Sequence, residues 1–264
     1  MEFQTILINK HDDVCTITLN RPDVHNALNE LMIEELNLAL TSLKNEDFRI
    51  LLLKGNGKSF CSGADLNYMK NMKNFTLEEN QKDAFNLAQL MYNLYKFPKI
   101  TIAIGHGAIM GGGIGLIACC DFSICESETR FSFSEIRLGL IPAVISPYII
   151  RKIGISKAKE LFLTGSIFSS YEAEKWGLIT KSISQQEIQK FSKEMIQQLL
   201  SCPPNTIKEI KELIEINLTH NLEELKIKTS EIIANIRISK EAQEGIQAFF
   251  EKRKPYWYKK YEDQ

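Results

Sequence analysis

The first part of the chain alternates between short apolar segments and longer segments with helical periodicity. Leu28 to Leu43 places apolar residues three or four positions apart, as on one face of an amphipathic helix. Ile50 to Lys54 is a short, mostly apolar run that ends at Gly55-Asn56-Gly57, which is typical of a buried strand. Strands that alternate with helices favour parallel pairing through crossovers, so we predict an α/β fold. The predicted strands are Ile6–Ile8, Val14–Leu19, Ile50–Lys54, Pro98–Ile104, Asp121–Cys125 and Leu178–Ile183, and the predicted helices are Leu28–Leu43, Leu77–Tyr95, Gly113–Cys119, Ser156–Thr164 and Tyr171–Trp176.

From about residue 186 onward the strand signals disappear and only helical periods remain. We therefore predict two regions, an α/β core over residues 1–185 and a helical region over residues 186–264. A helical region that follows such a core packs on that core or on a neighbouring subunit. The predicted helices here are Glu187–Leu200, Asn205–Asn217, Asn221–Ile236 and Lys240–Lys252.

Composition and charge narrow the class of protein. The formal net charge of -1 gives no broad basic field, so nucleic acid is not an expected partner. The longest apolar run, Ala108 to Cys120, contains four glycines and is too short to span a bilayer. The N-terminus has neither a basic region nor an apolar signal core, so we expect a cytoplasmic protein without a membrane segment. The six cysteines form no C-x-x-C pair and are expected to be reduced, mostly buried thiols rather than metal ligands.

Two features suggest chemistry, the glycine run from Met110 to Gly115 and the single carboxylate Glu135. Glycines let a ligand approach the backbone and its N–H groups closely. A lone carboxylate among apolar residues is a candidate acid or base with a raised pKa. N–H donors for a negative oxygen and a carboxylate that moves a proton suffice for chemistry through an enolate. The alternative interpretations are tight helix–strand packing for the glycines and a surface ion pair with Arg130 or Arg137 for Glu135.

An ordered set of motifs along the chain resembles the crotonase (enoyl-CoA hydratase/isomerase) superfamily. The resemblance implies a spiral of ββα units with a C-terminal helical region, and a homotrimer or a hexamer built from two trimers. It also implies acyl-CoA thioester substrates, with no metal and no cofactor other than the coenzyme A of the substrate. The matching segments, which cover roughly residues 7–183, are Leu19–Pro22, Asn26–Asn29, Phe60–Leu66, Gly107–Gly113, Cys120–Asp121, Phe133–Glu135, Gly139–Pro142, Leu163–Gly165 and Ala173–Ile179.

The resemblance assigns roles to individual residues. The backbone N–H groups of Ala64 and Gly112 would form an oxyanion hole, and Glu135 would be the general acid or base. Fixed donors of this kind stabilise developing charge without reorganising, each by about 3 kcal/mol. Asp65 is expected to brace its loop rather than to enter the chemistry. The further residues implied for substrate or CoA binding are Val24, His25, Ala27, Ser62, Gly63, Asp65, Leu66, Gly111, Gly115 and Pro142.

The chain departs from the best-known hydratases of the superfamily, which use two glutamates. Gly115 stands where the first of them is expected, so Glu135 is the only one present. The segment Ala143 to Arg151 resembles bacterial methylglutaconyl-CoA hydratases of leucine breakdown, which also tend to lack that glutamate. The candidates for binding the distal carboxylate of such a substrate are Tyr68, Lys70, Ser146 and Tyr148.

Other functions remain open at this stage. An isomerase or a decarboxylase on the same scaffold needs no activated water and would suit a single glutamate. A non-catalytic binding protein is a different class, which the net charge and the retained Glu135 disfavour. His25 and His106 are isolated histidines, and an isolated histidine is more often a packing or hydrogen-bonding residue than a catalytic group. The tail from Phe249 to Trp257 either reaches the CoA of a neighbouring subunit or simply packs.

Overall fold

The computed structural model describes residues 3–261 of the chain. The chain divides into two compact units, residues 1–189 and residues 190–264. The first unit contains every strand given below, and the second unit is helical. The strands are β1 (Ile6–His11), β2 (Val14–Leu19), β3 (Ile50–Gly55), β4 (Ile100–Gly105), β5 (Ala108–Met110), β6 (Phe122–Glu126), β7 (Arg130–Ser132), β8 (Ile167–Ser169) and β9 (Lys181–Ile183). The helices are α1 (Glu30–Leu43), α2 (Leu66–Met72), α3 (Leu77–Tyr95), α4 (Gly112–Cys119), α5 (Ser146–Thr164), α6 (Ser170–Lys175), α7 (Ile188–Leu200), α8 (Pro204–Thr219), α9 (Leu222–Arg237) and α10 (Lys240–Phe250).

The main sheet has six strands in the order β1-β2-β3-β4-β6-β9. β1 and β2 form an antiparallel hairpin in which His11 pairs with Val14, and Asp12 takes the positive φ of 48° that the tight turn needs. The other neighbours pair in parallel, with Val14 opposite Ile50 and Ile50 opposite Ile100. This arrangement confirms the predicted α/β class with parallel pairing across helical crossovers.

A second, smaller sheet consists of the three-residue strands β5, β7 and β8. β5 pairs with β7 in parallel, and β7 pairs with β8 antiparallel. The sequence did not predict these strands, because three residues are too few to show an alternating pattern. β5 and β7 nevertheless matter for the site, since each leads into one of its segments, Gly111–Gly112 after β5 and Glu135 after β7.

Two predicted element boundaries are corrected by the structure, and one helix was not predicted. α5 begins at Ser146 rather than Ser156, and Gly154, with φ 74° and ψ 164°, breaks its helical geometry in the middle. β9 begins at Lys181 rather than at Leu178, because the buried residues Leu178 and Ile179 lie in the turn after α6. α2 was not predicted, since its short sequence carries only two turns of helical period.

The core of the first unit is built from the apolar faces of the predicted helices. α1 begins at the cap Asn29, whose side chain accepts a hydrogen bond from the N–H of Met32. The same helix buries Met32, Leu36 and Leu40, as the three- and four-residue spacing predicts. Complete burial of each such side chain stabilises the fold by about 1.5–3 kcal/mol.

The second unit contains the predicted C-terminal helices, each within two residues of its expected bounds. Buried Glu241 of α10 accepts hydrogen bonds from the N–H groups of Asn205 and Thr206 and so caps the start of α8. The ring N–H of Trp257 donates to the carbonyl of Ser201 at 3.1 Å. The roles in trimerisation and in covering CoA stay predictions. Over residues 3–261 we find no helix with the length and apolar character needed to cross a bilayer.

Candidate active site

A cavity of about 370 Å³ lies in the first unit, between the α2–α3 region and the segments at residues 110–112 and 134–145. Its lining is mainly apolar, and its polar side chains come from Ser62, Tyr68, Asp83, Ser134 and Glu135. A concave, mostly apolar site with a few converging polar groups is the usual form of a small-molecule site. The cavity brings together eight of the predicted site residues, Ser62, Gly63, Ala64, Leu66, Gly111, Gly112, Glu135 and Pro142.

The loops that carry Ala64 and Gly112 are held side by side by backbone hydrogen bonds. The N–H of Met110 donates to the carbonyl of Cys61 at 3.0 Å and joins the two loops, while the N–H of Leu28 donates to the carbonyl of Gly63 at 2.7 Å and fixes the Ala64 loop from its other side. Within the described part of the chain, the N–H groups of Ala64 and Gly112 have no acceptor. Gly112 also begins α4, where the helix end favours a negative charge. Two unengaged donors therefore border one cavity.

The glycines of this region leave room for neighbouring groups that approach closely. A Cβ atom added at Gly113 would lie 2.5 Å from the carbonyl oxygen of Cys61, so this glycine permits close packing of the two loops. A Cβ added at Gly111 would lie 2.8 Å from Oε1 of Glu135, and Gly111 has a positive φ of 44°. Gly111 thus leaves the space that the Glu135 carboxylate occupies. The packing interpretation of the glycine run is confirmed at Gly113, whereas the approach of a ligand to these glycines stays a prediction.

Glu135 lies in a 3₁₀ turn, Ser134–Leu138, that directly follows β7. Its carboxyl group is half-buried, and its Oε2 atom has no hydrogen-bond partner in the described structure. Burial raises the pKa of this carboxyl group above its ordinary value, because the charged form loses solvation. The alternative of a surface ion pair with Arg130 or Arg137 is wrong, since Glu135 forms no ion pair within the described residues. The Arg137 side chain donates instead to the carbonyl of Gly165 at 3.3 and 3.4 Å. Glu135 is therefore a carboxylate whose proton affinity is set by an apolar cavity.

Asp65 supports the Ala64 loop from outside the cavity lining. Its carboxylate pairs with Nη2 of Arg21 at 2.8 Å and accepts hydrogen bonds from the N–H groups of Asn67 and Tyr68, which start α2. Burial acts to raise the pKa of Asp65, but the hydrogen bonds from Arg21 and the two N–H groups outweigh it and lower the pKa. This geometry agrees with the expectation that Asp65 braces the loop.

Gly115, predicted as a binding residue, does not line the cavity. It is buried within α4 against Ile145, whose Cγ2 atom would lie 2.3 Å from a Cβ atom at position 115. Ile145 itself lines the cavity. The side chain of Ile145, just before α5, therefore fills the space that the first carbon of a side chain at position 115 would need.

Three further predicted residues lie beside the cavity rather than in its lining, namely Val24, His25 and Ala27. The N–H of Ser62 donates to the carbonyl of His25 at 3.0 Å, so their loop adjoins the cavity rim. Their role in CoA binding stays a prediction. His25 Nδ1 lies 3.1 Å from Ser59 Oγ, and His106 Nε2 lies 2.9 Å from the carbonyl of Gly57. Neither histidine lines the cavity.

The sequence did not predict that α2 and α3 together form one side of the cavity, which we call the cavity wall. Tyr68 of α2 donates a hydrogen bond to Oδ1 of Asp83 on α3, and both residues line the cavity. A signal for α2 was available, because Asp65 stands as an N-cap before Leu66. Of the four candidates for binding a distal carboxylate, Tyr68 lines the cavity, whereas Lys70, Ser146 and Tyr148 do not.

The α/β fold and the cavity define a protein of the crotonase class, and comparisons with known proteins agree. The family model described as enoyl-CoA hydratase/isomerase matches residues 9–260. An enoyl-CoA hydratase structure from Shewanella pealeana superposes with a TM-score of 0.93 at 41% identity and covers 97% of each chain. The short-chain-enoyl-CoA hydratase of Clostridium acetobutylicum is 28% identical over 96% of this chain and 97% of its own length. The trans-2-decenoyl-[acyl-carrier-protein] isomerase of Streptococcus mutans is 29% identical over 97% of this chain and 98% of its own length. The chain belongs to the enoyl-CoA hydratase/isomerase family.

Proposed function

We propose that this protein adds water reversibly across the α,β double bond of an enoyl-CoA thioester. The observation that carries the proposal is the carboxylate of Glu135, unpartnered at Oε2, in a cavity that also presents the unengaged N–H groups of Ala64 and Gly112. Attack of water at the β-carbon moves negative charge to the thioester oxygen. The two N–H groups stabilise that oxyanion, and Glu135 transfers the proton that the α-carbon must gain.

One carboxylate is sufficient for the proton balance of this reaction. Hydration removes one proton from water and adds one proton to the α-carbon. Glu135 takes the first proton as the C–O bond forms at the β-carbon, and it then delivers a proton to the α-carbon on the same face. Its raised pKa suits this exchange, because a carboxyl group poised nearer neutral pH both accepts and donates readily. The reverse sequence dehydrates a 3-hydroxyacyl thioester.

Two kinds of acyl group are candidates for the substrate. The sequence from Ala143 to Arg151 favours 3-methylglutaconyl-CoA, which carries a second carboxylate. The cavity favours an uncharged acyl group, because none of the described residues that line it is a lysine, an arginine or a histidine. An isolated carboxylate placed in an apolar site is costly unless it is paired. We therefore propose an apolar enoyl group as the preferred substrate and keep the methylglutaconyl group as the second candidate.

The first experiment incubates the purified protein with crotonyl-CoA and, separately, with 3-methylglutaconyl-CoA. Loss of the enoyl-thioester absorbance is followed, and the product mass shows whether water has been added. We expect hydration, and we expect Glu135→Gln to lower kcat by about 10²–10⁴-fold, the usual contribution of a general acid or base. Glu128→Gln is the matched control, because Glu128 is an exposed glutamate outside the cavity.

Each other outcome has a defined meaning. A shifted double bond without a change in mass would make the protein an isomerase, and release of CO₂ would make it a decarboxylase. Hydration that survives Glu135→Gln undiminished would refute the assigned proton carrier. Binding of the unreactive butyryl-CoA to Glu135→Gln checks that the cavity remains intact in the variant.

A further inference from the structure

The wall of the cavity between α2 and α3 carries a pair of polar groups that the proposed reaction does not use. We propose that the Tyr68–Asp83 pair is a specificity determinant that excludes acyl groups ending in a carboxylate and admits uncharged ones. The inference rests on the proposed function and deepens it by naming the class of acyl group. Asp83 would act by charge and Tyr68 by holding it in place.

The geometry places a carboxylate on the wall rather than in solvent. Asp83 lies on α3 and is half-buried, and it accepts the hydrogen bond from the Tyr68 hydroxyl across the gap between the two helices. The neighbouring lining residues Met69, Met72 and Leu87 are apolar. A carboxylate in such surroundings is screened less by water than one on an open surface.

Asp83 is the negative charge on the cavity wall itself, and the exposed Glu30 and Glu34 of α1 add weaker charges that solvent screens. Glu30 and Glu34 of α1, with Asp83, all act on the Tyr68 hydroxyl as negative charges. Burial, the hydrogen bond to Asp83 and these charges raise the pKa of Tyr68 well above its ordinary value, so the hydroxyl keeps its proton and remains a donor.

The nearest lysines on the same two helices do not compensate for this charge inside the cavity. Lys70 of α2, Lys73 just after α2 and Lys82 of α3 are exposed, and none of them lines the cavity. Their charges are therefore screened by solvent more strongly than that of Asp83. The Tyr68 hydroxyl, a hydrogen-bond donor next to Asp83 at the cavity wall, is already engaged with Asp83. An incoming acyl carboxylate would thus meet a like charge without a partner of opposite sign.

The test uses two unreactive ligands that share CoA and differ at the acyl end. They are 3-methylpentanoyl-CoA, which ends in a methyl group, and 3-methylglutaryl-CoA, which ends in a carboxylate. We expect the wild-type protein to bind the neutral ligand at least about tenfold more tightly by calorimetry. Asp83→Asn keeps an acceptor for Tyr68 but removes the charge. We expect it to lower the ratio of the two dissociation constants, anionic over neutral ligand, several-fold.

Two further variants separate specificity from structure. Tyr68→Phe leaves the charge of Asp83 but removes the hydrogen bond that holds it, so the preference for the neutral ligand should weaken less than in Asp83→Asn. Glu78→Gln makes the same charge change as Asp83→Asn at an exposed position of α3 and should leave the ratio unchanged. Equal effects of Asp83→Asn on both ligands would show a merely structural tie and overturn the proposal. So would equal binding of the two ligands by the wild-type protein.

Binding is measured without turnover, so the proposal is judged separately from the reaction. If no enoyl-CoA is hydrated while the neutral ligand is still preferred, the proposed function fails and the specificity stands. If hydration is found but the anionic ligand binds as well as the neutral one, the specificity fails alone. The corresponding enoyl pair, 3-methylpent-2-enoyl-CoA and 3-methylglutaconyl-CoA, then shows whether the ratio of kcat/KM follows the ratio of affinities.

Discussion

Replacement of Gly115 by alanine tests how tightly α4 packs against the start of α5. The added Cβ would lie 2.3 Å from Cγ2 of Ile145, and 3.1 Å from both Ile145 Cβ and Met91 Cε. Ile145 is 3% exposed and Met91 is fully buried, so neither side chain can move into solvent. Because protein interiors are close-packed, the clash must be relieved by displacing α4, α5 or the Ile145 rotamer.

The magnitude follows from two opposing effects. Alanine is more favourable than glycine within a helix by about 0.5–1 kcal/mol. Overpacking of a filled core costs about 1–3 kcal/mol. We expect Gly115→Ala to lower the free energy of unfolding by up to about 2.5 kcal/mol, the largest difference between these two terms.

A double-mutant cycle with Ile145→Ala isolates the contact. Ile145→Ala alone should cost about 2–5 kcal/mol, since it leaves a cavity in the core. In the double variant the new methyl group occupies space that Ile145 vacated, so the total loss should be smaller than the sum by about 1–3 kcal/mol.

The assay is urea unfolding of the full chain, with all four proteins measured by the same spectroscopic signal. Gly245→Ala in α10 is the control, because the nearest atom to its Cβ would be Trp257 Cη2 at 3.3 Å. It should change stability less than Gly115→Ala does. Losses that add within about 0.5 kcal/mol, or a Gly115→Ala protein that is more stable than wild type, would refute the reasoning. The functional consequence is that Gly115→Glu by itself cannot supply a second carboxylate, since Ile145 occupies its path.

The remaining predictions concern Glu135 and Asp65. Burial raises the pKa of Glu135 in the folded state, so its stabilising effect is present below the ordinary carboxyl pKa and is lost as pH rises through the raised value. The difference in Tm between Glu135→Gln and wild type should therefore grow in favour of the variant from about pH 4 to about pH 7, and a constant difference would contradict the burial argument. Asp65→Ala removes the partner of Arg21 and the cap of α2, so urea unfolding should show a loss of about 2–4 kcal/mol. The control is Lys226→Ala, which removes the exposed ion-pair partner of Glu223 and should lower the free energy of unfolding by less than about 0.5 kcal/mol. An equal loss in Lys226→Ala and Asp65→Ala would contradict the role of Asp65 as a brace of its loop.

The amino-acid sequence determined the parts of this protein that depend on local pattern. Apolar spacing along α1 and α3 set which face of each helix is buried, because side chains three and four residues apart share one side. Short apolar runs set the parallel strands β3 and β4, and the motifs around Gly112 and Glu135 indicated two segments that line the cavity. These features were predictable because each is decided within a few residues of the chain.

The tertiary structure decided what depends on residues far apart in the chain. Only the packing of α4 against α5 shows that Ile145 fills the space beside Gly115. Only the turn after β7 shows that the Glu135 side chain lies in a mainly apolar cavity and forms no pair with Arg137. Lost solvation in this cavity raises the pKa of Glu135. The Tyr68–Asp83 pair likewise exists because two helices meet at one wall. Contacts of this kind leave no periodic trace in the sequence, since pKa, free volume and charge at a site are set by whichever distant side chains the fold brings there.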